Sequence, residues 1–351
     1  MYKVLKLNKL RPLLAAGVCL GMLVSAEAAW EERAQPDELA YAGQEPLGSK
    51  GVLGPPVLME TSEEAYREEL QASLRRRIDA LLDDQGLTRE QRNRLCLRMS
   101  GDSALLTLLE QGELTGADLI YLALPNGRAG LLDRYSAWAA ERPGIGDEAV
   151  VLQVNMDQDQ AFYTAVRTTP HADSLSVLVN KHYALPDGFV PQLEVLGGAY
   201  GSGSLRPEAA RAFRAMADAS REDGIALYSV SAYRSFETQT SVYNRYLTQY
   251  RQATVDTFSA RPGYSEHQTG LALDINVAST KAHFENTPAF AWLKAHCARY
   301  GFILRYDQGK KEITGYQFEP WHFRYVGVEA AEVCMGRGLA LEEYLALQPV
   351  F

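Results

Sequence analysis

Apolar side chains recur every three or four positions over residues 61–141, the spacing of helices with one buried face. Tyr66, Leu70, Leu74, Ile78 and Leu81 share one such face, behind a start at Thr61-Ser62-Glu63-Glu64 and ahead of a stop at Gly86. Thr88 to Gln91 reads as a capping box for a second helix, and Leu105, Leu106, Leu108 and Leu109 fall in a third that stops near Gly112. Two more helices are predicted at 117–124, closed by Pro125-Asn126-Gly127, and at 130–141, closed by Arg142-Pro143-Gly144. β-Branched runs follow at 149–152 and 176–181 and predict strands. A helix over 206–223 places Ala209, Phe213 and Met216 on one face, with Pro207 in its first turn and Gly224 beyond its end. A strand over 225–230, a helix over 236–250 and a polar loop into Pro262-Gly263 come next. After Gly270 the period becomes two: Leu271, Leu273, Ile275 and Val277 on one face, Ala272, Asp274 and Asn276 on the other.

The helical stretch has no His, Cys or carboxylate cluster at ligand spacing, so its apolar stripes read as core; a module that docks on the cell wall or a partner is the functional alternative. Ahead of it, residues 29–59 are polar and broken by Gly and Pro, without apolar period, and read as a flexible linker. Residues 1–28 carry Lys3, Lys6, Lys9 and Arg11, then the apolar run Pro12 to Val24, then Ala26-Glu27-Ala28. That order is expected of a secretory signal cleaved before Ala29, and the run is short for a spanning helix. The expected location is therefore the periplasm, the cell envelope or the exterior.

The chain has 351 residues with 46% hydrophobic content, enough for a packed core, and a formal charge of −9 that becomes −12 without the leader. Such a balance excludes a nucleic-acid binder, which needs a basic face. Three cysteines follow the leader, Cys96, Cys297 and Cys334. An odd count in an oxidising compartment suggests one pair and one spare thiol, with Cys297 and Cys334 together in one half of the chain; three separate buried thiols are the competing reading.

Three phrases carry the chemistry: S-A-Y-R-S-F-E-T-Q at 231–239, S-E-H-Q-T-G-L-A-L-D at 265–274 and E-P-W-H at 319–322. Two histidines and an aspartate are ligands suited to a catalytic zinc that keeps one position open. Together the phrases resemble the D-alanyl-D-alanine carboxypeptidase family of zinc peptidases, the VanY type, which includes L,D-carboxypeptidases. The run V-L-V-N-K-H-Y-A-L-P-D-G-F-V-P at 177–191 resembles the entry of the same domain, so the likeness covers about 147–347. Ala232 and Leu273 stand where glycine and valine are common in the family; neither bears on the chemistry.

The resemblance implies Zn2+ on His267, Asp274 and His322, with Glu319 as the base that takes a proton from the activated water. It places Arg234 against the oxyanion or the terminal carboxylate of the substrate, and Gln239 and Ser265 against the peptide. Tyr233, Trp321 and Tyr325 could wall the pocket, although plain core is as good a reading of such aromatics. For Glu319, an ion pair with Arg324 is the structural alternative. His171, His182, His283 and His296 lie outside the motifs and are assigned no role.

The implied fold is α+β, a mainly antiparallel sheet with flanking helices carrying the zinc site, preceded by an all-helical region. The domains expected are a signal peptide (1–28), a linker (29–59), a helical region (60–146) and a carboxypeptidase domain (147–351). The expected reaction is hydrolysis of the terminal D-alanine peptide bond of peptidoglycan stem peptides. A non-haem iron enzyme using the same two-His-one-Asp set, or a silent wall-binding module, are the competing functions.

Overall fold

The computed structural model describes residues 58–277 and 282–350; the leader and nearly all of the linker lie outside the described residues. Packing divides the chain into two compact units that part between Gly116 and Ala117. The first contains α1 (Leu58–Leu82), α2 (Arg89–Gly101) and α3 (Ser103–Gln111). Ile78, Leu82, Leu95, Met99, Leu105 and Leu109 are buried in it. Its turns follow the local sequence: Gly86 and Gly112 take left-handed caps, and Thr88 and Gln91 form the reciprocal capping box.

The second unit opens with α4 (Gly116–Ala123), α5 (Leu132–Glu141) and α6 (Asp147–Asn155). The run at 149–152, expected as a strand, is therefore helix. Val150, Val151 and Val154 form one buried helical face against Tyr121 and Tyr135, and this packing overrides their β-propensity. These helices are tied to the C-terminal end of the same unit. Asn155 Nδ2 donates to Asn126 O and Ala346 O, and Arg128 Nη2 donates to Leu345 O. The packing boundary thus falls at residue 116, thirty residues ahead of the domain boundary expected at 146.

Two short ladders follow, β1 (Arg167–Thr168) with β2 (Tyr183–Ala184), parallel, and β3 (Glu194–Val195) with β4 (Ser204–Leu205), antiparallel. The run at 176–181 is not a strand. Val177 and Val179 are buried, but its backbone is held by side chains: Arg324 donates to Val177 O, and Asn180 Oδ1 accepts from the His182 backbone.

The central sheet contains β5 (Tyr228–Ser231), β6 (Ala272–Asn276), β7 (Phe302–Leu304) and β8 (His322–Tyr325) in the order β5-β6-β8-β7, antiparallel throughout. β5 starts three residues later than predicted because Ile225 still closes the end of α7 (Pro207–Glu222), donating to Ser220 O. On one sheet face Leu273, Ile275, Phe302, Leu304 and Phe323 pack with Ala209, Phe213 and Met216 of α7. The alternation then puts Ala272 and Asp274 of β6 on the other face, opposite Arg324 and His322 of β8. Besides two four-residue helices at Gln252–Val255 and Lys311–Thr314, the remaining helices are α8 (Phe236–Leu247), α9 (Pro288–His296), α10 (Val328–Arg337) and α11 (Leu341–Ala346).

The expected pairing of Cys297 with Cys334 is not found. Cys96, Cys297 and Cys334 are free, buried thiols. Cys297 belongs to the apolar cluster under α7 and Cys334 to a different one with Ile303, Val326 and Leu341. Burial pushes both thiols up, to about 12 and about 11, which keeps them protonated and inert.

Candidate metal centre

Asp274 and His322 are directly opposed residues of neighbouring strands, so sheet register alone brings them together. His267 arrives on the single turn Glu266–Thr269, which Gly270 closes in a left-handed conformation with φ 69°. A Cβ there would press on Arg206 and Leu193 at 3.1 Å, so glycine suits the position twice over.

One donor atom from each of His267, Asp274 and His322 lies within 4.8 Å of the others. His267 Nδ1 donates to Ala232 O at 2.7 Å, which leaves Nε2 facing Asp274 Oδ1 at 3.5 Å. His322 offers Nδ1 to the same oxygen at 3.3 Å. Asp274 Oδ1 is buried and accepts no hydrogen bond. A buried carboxylate oxygen without a donor, faced by two imidazole nitrogens, fits a divalent cation, and this mixed nitrogen and oxygen set fits zinc. Without a cation, burial opposes protonation of His322, but Asp274 and Glu266 overcome it and raise the imidazole to about 9. Burial likewise works against ionisation of Asp274, yet the two imidazoles hold its carboxyl well below the usual range.

Glu319 lies outside β8 in a turn closed by His322 N donating to Glu319 O at 3.2 Å. Its Oε2 is 3.8 Å from His322 Nδ1, so the turn at Pro320 directs the carboxylate to the ligand side. Burial pushes Glu319 up to about 8, against the pull of His322. Arg324 is not its partner: that guanidinium donates to Glu266 Oε1 and to the carbonyls of Leu175, Val177 and Tyr325.

Arg234 is half-buried, and its backbone N–H donates to His267 O. Its Nη1 donates to Gln239 Oε1 at 2.8 Å and its Nη2 to Ser231 Oγ at 3.1 Å. Gln239 is 1% exposed, with its amide also donating to Ala260 O, so it stands behind Arg234 rather than on the pocket surface. Ser265 is buried at the entry to the His267 turn. Tyr233 and Trp321 are half-buried, and Trp321 packs against the main apolar cluster while its carbonyl accepts from Ile275 N.

Sequence reasoning missed the groups behind the centre. Glu266, Arg305, Arg324 and Glu342 are fully buried ions, and the Tyr306 ring packs at a tilt against His322 with ring centroids 4.8 Å apart. Burial works against an ionised Glu266, but Arg305 and Arg324 hold its carboxyl well below the usual range. Only Glu266 could have been suspected, as a second acidic residue inside the phrase that holds His267 and Asp274.

Two imidazoles and one carboxylate gathered on an antiparallel sheet, with an elevated carboxyl alongside, make a metal centre suited to hydrolysis. The comparisons name its kind. The family model described as VanY, D-alanyl-D-alanine carboxypeptidase, matches residues 202–328. YodJ of Bacillus subtilis (strain 168), provisionally named a carboxypeptidase, is 38% identical over 192 residues, covering 51% of this chain and 70% of the relative. The chain belongs to the VanY family of D-alanyl-D-alanine carboxypeptidases. Among solved structures, the L,D-carboxypeptidase LdcB is 36% identical with a TM-score of 0.49, covering 52% of this chain and 90% of that one. The vancomycin-resistance D,D-pentapeptidase VanY from a VanB-type cassette, solved with Zn(II), is 36% identical with a TM-score of 0.44, covering 49% and 99%.

Proposed function

We propose that this protein is an exported zinc carboxypeptidase that removes the terminal D-alanine from peptidoglycan stem peptides, with D,D- or L,D-specificity. The observation that carries the reading is the unpartnered Asp274 Oδ1 between two imidazole nitrogens, with Glu319 alongside. The zinc-bound relative and the family's named activity support it. His267, Asp274 and His322 would hold the zinc, which as a Lewis acid acidifies water and polarises the scissile carbonyl.

The chain's own residues supply the rest. Glu319, raised by burial and close to the ligands, takes one proton from the attacking water as its oxygen bonds to the carbonyl carbon. It returns that proton to the departing amine nitrogen as the C–N bond breaks, and the second proton of the water leaves the new carboxyl group for the amine or solvent, so free D-alanine departs and the shortened stem ends in a carboxylate. Arg234, pinned by Gln239 and Ser231, presents a planar charge to the oxyanion or the substrate's terminal carboxylate. Export rests on the leader-like residues 1–28, and among the described residues no helix is long and apolar enough to cross a membrane. Peptidase family membership and the intact set of ligands and base argue against the iron enzyme and the silent module.

The test incubates purified protein with defined pentapeptide and tetrapeptide stems, with and without chelator, and identifies products by mass. Loss of one alanine from either stem, abolished by chelator, is expected. Intact stems with a zinc-loaded protein would overturn the reading.

A further inference from the structure

Behind the ligands lies a buried ionic relay that the catalytic chemistry does not use. Glu266, whose side chain is 0% exposed, accepts on Oε1 from Arg305 Nε at 2.8 Å and from Arg324 Nη1 at 2.8 Å. Its other oxygen accepts nothing. Oε2 is buried without a partner, and so is His322 Nε2, yet the two atoms lie 3.5 Å apart. Two buried polar atoms that face each other are satisfied together only if a proton lies between them, and leaving both unmade is expensive. That proton belongs on Nε2, so it is Nδ1, beside Asp274 Oδ1, that gives up its proton and becomes the free nitrogen when a cation binds.

His267 shows the same logic with the nitrogens exchanged, its Nδ1 donating to Ala232 O so that Nε2 faces the centre. One imidazole is thus backed by a carbonyl and the other by a carboxylate, and a carboxylate makes the ring a stronger ligand. The carboxylate is itself held. Arg305 grips Glu342 of α11 through both Nη atoms, at 2.9 and 2.7 Å, and Glu342 also accepts from Asn180 Nδ2 at 3.1 Å. Buried ion clusters give little net stability compared with apolar packing of the same volume. The relay is better explained by what it orients.

We propose that Glu266 is a positioning residue for the metal: it holds the Nε2–H of His322 so that Nδ1 is the nitrogen offered to the cation, while Arg305, gripped by Glu342, holds Glu266 in place. The inference rests on the zinc reading above. Glu266→Gln has a specific consequence. With two guanidiniums on one side, the amide must turn its oxygen to the arginines and its NH2 to His322. Nε2 must then accept, and the proton moves to Nδ1, the nitrogen the metal needs.

The experiment measures zinc affinity of wild type and Glu266→Gln by competition with a chromophoric chelator, alongside melting curves of the metal-free forms. A folded variant is expected to lose about 10–100-fold in affinity. In zinc-loaded wild type, nitrogen NMR is expected to show the His322 proton on Nε2 and slow to exchange. This second measurement decides the matter if the variant does not fold. A folded variant that binds zinc within twofold of wild type, or a His322 proton on Nδ1, would overturn the inference and leave the zinc reading intact. Wild type that binds no stoichiometric zinc would overturn both.

Discussion

Replacing Glu319 by Gln separates the base from the ligands more cleanly than any other change. The residue is 7% exposed, with Oε2 3.8 Å from His322 Nδ1, and it is not one of the three clustered donors. Burial already keeps the metal-free carboxyl protonated at neutral pH, being pushed up to about 8, so a neutral amide of the same shape changes little in the resting fold. Zinc should therefore still bind at one per chain. What disappears is the capacity to take a proton. A positioned general base is worth roughly 10²–10⁴ in rate, or about 2.7–5.4 kcal/mol of barrier at ~1.36 kcal/mol per tenfold. The assay follows D-alanine release from a defined pentapeptide stem at saturating substrate, with metal content measured on the same preparation. A kcat within threefold of wild type, at full zinc occupancy, would refute the role of Glu319. A variant that loses zinc would show instead that the residue is part of the ligand set.

Three further outcomes follow from the geometry. Arg234→Lys keeps the charge but loses the fork that meets Gln239 and Ser231, so zinc should remain while cleavage falls by about 10-fold or more; wild-type kinetics on free-carboxylate stems would refute a substrate role. His322 and Glu319 both bind their protons more tightly in the folded metal-free protein than when unfolded, to about 9 and about 8. Stability they contribute is therefore present at low pH and lost as pH rises; between about 6.5, above which the burial-lowered His267 and His182 are neutral in both states, and about 8, melts of metal-free protein should show the fall, which zinc should abolish, and a rising profile there would contradict it. Gly201→Ala should destabilise by roughly 2–5 kcal/mol in denaturant melts, because Gly201 sits at φ 95° and a Cβ would lie 2.2 Å from Ser229 O, so an unchanged midpoint would show that the backbone there is not as described.

The parts of the fold legible in the sequence were those encoded locally. Gly86, Gly112 and the Thr88–Gln91 box act within one turn, and the alternation after Gly270 correctly put Asp274 opposite the apolar face. The candidate trio stood out because His267 and Asp274 share one short phrase and His322 closes another. What escaped was whatever depended on partners far along the chain. Val150 and Val151 look like strand until Tyr135 is packed against them, and Arg305 and Glu342 look like surface charges until Arg305 is set between Glu266 and Glu342. Cys297 and Cys334 could be paired on paper, but two separate apolar clusters keep them apart. Gln239 looked like a substrate contact because sequence shows neither depth nor which hydrogen bonds are already taken.

The register between β6 and β8 also acts as a quality control on the enzyme. Leu273 faces Phe323 in the apolar layer while Asp274 faces His322, and the two layers alternate residue by residue. A slip by one position would exchange them, dropping the ligand carboxylate into the apolar cluster and lifting a leucine, whose burial is worth about 1.5–3 kcal/mol, onto the polar face. The error that destroys the active site thus also destroys the core. A misassembled copy would not persist as a well-folded but inactive protein; it would unfold and be open to proteolysis, so the folded population is self-selected for competence.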